Sequence, residues 1–248
     1  MRGYAAYSLP LLALALLLTS CSMTASPPPD YNAILAEPDR SDADRQNDQR
    51  RHAAELLAFT GVRPGWKVLD MGADAGYSTE LLARATAPSG VVYGQNPADA
   101  LPRAMDAYTA RAKGPGMKNA IADRRPFDDP LPPGAAPVDL ITFFFAYHDT
   151  TYMTNVDRVK MDKAMFDALK PGGTLVVADY EALPGAPITT GKQFHRLDDA
   201  IEKREIEAAG FKLVDEANFL RNPADPKNFI VFGAKIPIDS YVLKFQKP

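Results

Sequence analysis

The sequence predicts an α/β fold, a mostly parallel sheet with helices on both faces. Three observations point to it. Strand-like apolar runs alternate with helical segments, the run from Val138 to Phe145 is apolar almost without break, and a glycine-bearing turn joins the first strand to a helix. Alternating strand and helix implies a parallel sheet covered on both sides, and a strand buried on both faces loses the polar–apolar alternation of a half-exposed one.

From the N-terminus, Arg2 precedes the apolar run Leu9 to Leu18, which is too short for a bilayer-spanning helix and has the form of a signal-peptide h-region. It ends in Leu18-Thr19-Ser20-Cys21, which resembles the bacterial lipobox, where the signal is cut before the cysteine and the thiol carries lipid. Ser22 after that cysteine is compatible, by the same resemblance, with sorting to the outer membrane. The expected organisation is therefore a lipoprotein signal peptide over 1–20, a lipid-anchored proline-rich tether over 21–40 and one domain over 41–248. The expected location is periplasmic. Pro27 to Pro29 stiffen the tether. Cys21 is the single cysteine of 248 residues, so no intrachain disulfide can form and the fold must stand on its core. Hydrophobic residues make up 46% of the chain, enough for that core, and 28 basic against 31 acidic residues leave no positive field for nucleic acid.

Within the domain, Ser41 or Asp42 caps a helix running to Phe59, with Ala53, Leu56, Leu57 and Phe59 toward one side. Strands follow at Lys67 to Met71, Gly90 to Gln95 and Asn119 to Asp123, separated by helices at Ser78 to Ala87 and Pro102 to Lys113. A proline-rich loop, Asp128 to Pro137, leads to the fourth strand. An amphipathic helix, Val156 to Leu169, is closed by Lys170-Pro171-Gly172-Gly173, residues that forbid its continuation. Thr174 to Asp179 is the fifth strand and His195 to Ala209 a helix ended by Gly210. Phe211 to Glu216 and Tyr241 to Phe245 are two last strands flanking a long polar loop.

The turn Val68-Leu69-Asp70-Met71-Gly72, the strand opening Asp139-Leu140-Ile141 and the turn Leu169-Lys170-Pro171-Gly172-Gly173 resemble those of class I S-adenosylmethionine-dependent methyltransferases. The resemblance covers about Arg51 to Pro248. It is closest to exported bacterial methyltransferases that carry His-Asp after the fourth strand and His-Arg opening the last helix, here His148-Asp149 and His195-Arg196. It implies a Rossmann-like sheet of seven strands with the last antiparallel, and S-adenosyl-L-methionine as cofactor. It also implies methyl transfer to an oxygen or nitrogen of a small molecule or cell-envelope component. In that reading Gly72, Ala73 and Gly76 let the backbone approach the amino-acid end and ribose of the cofactor, Asp70 orients that end, and Asp123 accepts from the adenine amino group.

Two positions depart from the family pattern. Asp74 replaces the usual second loop glycine, where it can take the cofactor's ammonium or repel its carboxylate. Gln95-Asn96-Pro97 stands where an acidic residue normally grips both ribose hydroxyls, leaving Asn96 as a neutral substitute without charge-assisted strength. Tyr147, His148 and Asp149 follow the fourth strand on the side where open α/β sheets bind ligands. His148 is the candidate general base, oriented by Asp149 or another carboxylate, while His195 and Arg196 are placed to reach the same mouth, Arg196 gripping an anionic substrate. His52 is the weakest of the three histidines, and their spacing along the chain predicts no metal site. A non-catalytic ligand-binding lipoprotein on the same fold is the alternative. A nicotinamide-dependent oxidoreductase fits less well, because Asp70 precedes the first glycine.

Overall fold

The computed structural model describes residues 26–248, together with 1 and 3; Cys21, the signal peptide and the first part of the tether lie outside the described residues. Seven strands form one sheet in the order β3-β2-β1-β4-β5-β7-β6. They are β1 (Lys67–Met71), β2 (Val91–Asn96), β3 (Ala120–Arg124), β4 (Val138–Phe144), β5 (Leu169–Tyr180), β6 (Lys212–Ala217) and β7 (Ser240–Gln246). Neighbours from β3 to β5 pair in parallel, and β7 runs antiparallel to both β5 and β6. This is the seven-stranded architecture expected, with its antiparallel last strand.

Among the described residues eight helices accompany the sheet: α1 (Tyr31–Leu35), α2 (Asp42–Arg51), α3 (Ala53–Thr60), α4 (Tyr77–Thr86), α5 (Pro102–Arg111), α6 (Arg158–Ala168), α7 (Thr190–Phe194) and α8 (Asp199–Ala208). Strand residues alternate between two cores. Leu69, Met71, Ile141, Phe143 and Val177 pack with Met161 and Met165 of α6 and Ile206 of α8. On the other face Val68, Leu140, Val176 and Val242 pack with Leu56 and Leu57 of α3 and Leu81 and Leu82 of α4. Both faces of β4 are therefore dry, which accounts for its nearly unbroken apolar sequence.

Four local expectations are corrected. The stretch expected as tether up to residue 40 contains α1, whose Ile34 is buried in the second core and whose Tyr31 hydroxyl donates to the Val62 carbonyl at 2.9 Å. The single helix expected from Ser41 to Phe59 is broken at His52, which takes the left-handed conformation (φ 47°) and stacks on Phe219. Lys170 to Gly173 do not end a helix before the strand begins. They lie inside β5, where the pairing register with β4 shifts and the Gly172 amide donates to the Lys247 carbonyl. His195 does not open a helix but caps the end of α7 with φ 53°; the next helix starts at Asp199, capped by the Asp198 carboxylate.

Candidate functional site

Where β1 ends, Gly72 and Gly76 adopt φ 63° and 81°. A Cβ on Gly72 would sit 3.0 Å from the Ala146 methyl, and one on Gly76 would sit 2.9 Å from the Tyr108 ring, so both positions need glycine for conformation and for space. Asp70 is fully buried beneath this turn. It accepts from Ser78 Oγ (2.8 Å), Thr79 Oγ1 (2.6 Å) and Thr142 Oγ1 (2.7 Å), which tie β1, α4 and β4 together. Burial pushes its pKa up, and these hydroxyls oppose the rise. Asp70 thus braces the turn from below; of the two expected ways of orienting the cofactor's amino-acid end, directly or through water, these bonds disfavour the direct one.

The end of β2 braces the same turn from the side. The Gly72 amide donates to Gln95 Oε1 (3.0 Å), the Ala73 amide to the Gln95 carbonyl (2.9 Å) and the Asp74 amide to Asn96 Oδ1 (2.9 Å). Asn96 Nδ2 donates back to the Asp74 carbonyl, and Gln95 Nε2 to the Arg125 carbonyl. Asn96, buried and bound on both sides of its amide, is a latch on the loop rather than the free ribose ligand expected.

Three charged groups around the turn keep unused valence. Asp74 exposes its carboxylate at φ 49°. Asp123, the last residue but one of β3, holds a buried carboxylate oxygen without a partner among the described residues, and burial raises its pKa against the pull of Arg125. Arg51, at the end of α2, lies 4.8 Å from the Phe145 ring centroid and 5.2 Å from that of Tyr77. Its Nε has no hydrogen-bond partner, and desolvation lowers its pKa while Tyr180 and Asp74 pull in the other direction. Nothing in the sequence singles out Arg51, because Arg50-Arg51-His52 looks like a solvated helix end. The break at His52 is what turns it inward.

At the C-terminal ends of β4 and β5 a second cluster forms. His148 opens a short turn, His148–Thr151, and is buried. Its Nδ1 lies 2.7 Å from Asp179 Oδ1 and its backbone amide 2.8 Å from Asp179 Oδ2. Its Nε2 faces Asp149 Oδ1 at 3.1 Å and His195 Nδ1 at 3.2 Å, and the Tyr152 hydroxyl donates to the same Asp149 oxygen. Burial opposes charging of the His148 ring, but the Asp179 and Asp149 carboxylates outweigh it and push the pKa up to about 10. The two carboxylates thus favour the charged form of the ring, which works against the general-base role expected of His148. Asp179 and Tyr152 are members of the cluster that sequence reasoning misses. The one signal for Asp179 is a lone carboxylate ending an apolar strand.

Two expected participants point elsewhere. Tyr147, one residue from His148, is fully buried in the core under α6, where Asp162 (3.1 Å) and Glu205 (3.2 Å) accept from its hydroxyl. Arg196, one residue from His195, is fully buried on Asp225 and does not reach the mouth. Strand and turn periodicity sends neighbouring side chains to opposite sides, and burial then selects the use of each.

Beside Arg51 and the ends of β4 and β5 lies a cavity of about 640 Å³ bordered by Phe145, Tyr180, Phe232 and the cations Arg50, Arg51, Arg221 and Lys235, with no acidic residue among those that line it. Tyr180 packs on the His148 ring and Phe232 on the His195 ring, so the cavity adjoins the histidine cluster.

No family model matches the sequence, and no curated protein matches it. Solved structures do match. A SAM-dependent methyltransferase from Aquifex aeolicus is 17% identical with a TM-score of 0.57, over 88% of this chain and 99% of that one. An arsenic(III) S-adenosylmethionine methyltransferase from Chlamydomonas reinhardtii is 15% identical with a TM-score of 0.55, over 90% and 74%. Aeropyrum pernix fibrillarin, with natively bound S-adenosyl-L-methionine, is 14% identical with a TM-score of 0.51, over 77% and 73%. The fold is the Rossmann-like fold of these methyltransferases.

Proposed function

We propose that the protein transfers a methyl group from S-adenosylmethionine to an oxygen or nitrogen of a small molecule or cell-envelope component. The observation that carries this is the Arg51 guanidinium, whose Nε has no hydrogen-bond partner among the described residues, together with the exposed Asp74 carboxylate at the glycine turn, whose charge it feels. A cation and an anion at that turn suit a zwitterionic amino-acid group, Arg51 taking its carboxylate and Asp74 its ammonium. The buried, unpartnered oxygen of Asp123 is then an acceptor for the adenine amino group. When bound, the cofactor supplies an electrophilic methyl on its sulfonium. Phe145 and Tyr77 keep water from Arg51, and Arg50, Arg221 and Lys235 favour an acceptor that carries negative charge.

A second reading has its own support. Gln95 and Asn96 spend their amides on the loop, leaving no side chain at the end of β2 for the ribose, as a binding lipoprotein without tight cofactor affinity would tolerate. Calorimetric titration of the purified protein with S-adenosylmethionine, its demethylated product and NAD separates the two. Binding of the first two but not NAD is expected, weakened about 10- to 100-fold by Arg51→Ala, the worth of a charge-assisted hydrogen bond, and abolished by Gly72→Val. No heat with either sulfur ligand at millimolar concentration would leave the binding lipoprotein as the function.

A further inference from the structure

We propose that His148 Nε2, His195 Nδ1 and Asp149 Oδ1 form a site for one divalent first-row transition ion, of the zinc or iron(II) class. The three atoms lie at the corners of a nearly equilateral triangle, with separations of 3.1, 3.2 and 3.2 Å. Bonds of about 2.0–2.2 Å from one ion to imidazole nitrogen and carboxylate oxygen place neighbouring ligand atoms about 3.0–3.4 Å apart. Imidazole N–H groups donating to Asp149 Oδ1 account for two edges of such a triangle and leave the His148–His195 edge unsupported. A common cation seated just off the plane of the triangle would bond all three at these lengths.

The surroundings are those of a ligated histidine. Asp179 Oδ1 lies 2.7 Å from His148 Nδ1, the carboxylate–histidine arrangement that fixes ring orientation and leaves Nε2 for the ion. Asp179 takes part without touching the ion, and is a positioning residue. His195 is held in its left-handed backbone conformation and packs on Phe232 at 4.6 Å between ring centroids. Among the described residues, the ion pairs of Asp149 and Asp179 are with histidine alone, so no lysine or arginine already neutralises them. A second convergence of ligand-type groups, Glu181, Asp198 and Asp199, differs in this respect: Arg221 pairs with Glu181 and Asp199, and Lys203 with Asp199. Two imidazoles with one carboxylate select transition metals over calcium or magnesium, which take oxygen ligands. His195 and Asp149 keep partial exposure (20% and 36% of the side chain), which leaves the remaining coordination positions open to a ligand entering from the adjoining cavity.

The site does not depend on the cofactor reading, and its test is metal binding, not turnover. After chelator treatment, Zn²⁺ should titrate to one ion per chain. His195→Ala and Asp149→Asn should each lower affinity at least 100-fold, Asp179→Asn about 10- to 100-fold, and His52→Ala not at all. Bound Co²⁺ should displace two exchangeable imidazole N–H resonances, those of His148 and His195, and this readout needs no variant. Equal Zn²⁺ affinity in wild type and His195→Ala, loss of binding in His52→Ala, or fewer than two displaced resonances would overturn the proposal.

Discussion

Arg196 is enclosed completely; Asp225 accepts from its Nη1 at 2.9 Å and Nη2 at 3.2 Å, the Glu181 carbonyl accepts from Nη1 and the Phe229 carbonyl from Nε. Asp225 also accepts from the backbone amides of Lys227 and Asp239, so one ion pair fastens the long loop between β6 and β7 to the body. Arg196→Ala strands that carboxylate in the interior and should cost about 3–5 kcal/mol in urea unfolding. An effect below about 1 kcal/mol would show that the loop holds without it. In the sequence, His195-Arg196 and Tyr147-His148 are visible as pairs of functional residue types, but not which member faces the mouth. That depends on a left-handed residue at 195 and on Asp162, Glu205 and Asp225, carboxylates 15 to 58 positions away.

At the scale of elements, α6 and α8 meet over a set of carboxyl groups with little positive charge. Burial pushes the Asp162 carboxyl up to about 7, the hydrogen bond from Tyr147 and the nearby Arg158 opposing the rise and Glu205 adding to it. Glu202 of α8 is raised well above its ordinary range, first by burial and then by Asp179. A carboxyl whose pKa is higher in the folded state favours folding while protonated and opposes it once ionised. Stability should therefore fall by a few kcal/mol as pH rises from the ordinary carboxylate range through about 7, losing about 1.4 kcal/mol for each pH unit crossed. Asp162→Asn should flatten that slope in unfolding curves recorded at several pH values; an unchanged slope would assign the effect to other groups. The strands and most helices are legible because apolar runs and caps are local. The break at His52 is not, since no glycine or proline marks it and its stacking partner, Phe219, lies far along the chain. The latch of Gln95 and Asn96 reads in the sequence as a weakened ribose site for the same reason: the groups it binds belong to another strand's turn.

For the whole molecule, the likeness of Leu18-Thr19-Ser20-Cys21 to a lipobox leads us to propose a domain attached to the membrane through lipid on Cys21. Cys21→Ala should lose lipid labelling and leave the membrane fraction; a variant retained there uncleaved would point to a signal anchor instead. The contact that Arg63 Nη1 makes with the Ser26 carbonyl at 2.8 Å bears on how such a molecule would stand. Arg63 lies just before β1, at the N-terminal ends of the parallel strands, whereas the glycine turn, the cavity and the histidine cluster lie at their C-terminal ends. Five residues from Cys21 to Ser26 reach at most about 18 Å. The sheet would then be planted on the bilayer by its base, with its opening turned outward to the aqueous space. An acceptor arriving by diffusion would meet that opening directly, while one embedded in the same leaflet would have to be lifted past the full height of the sheet.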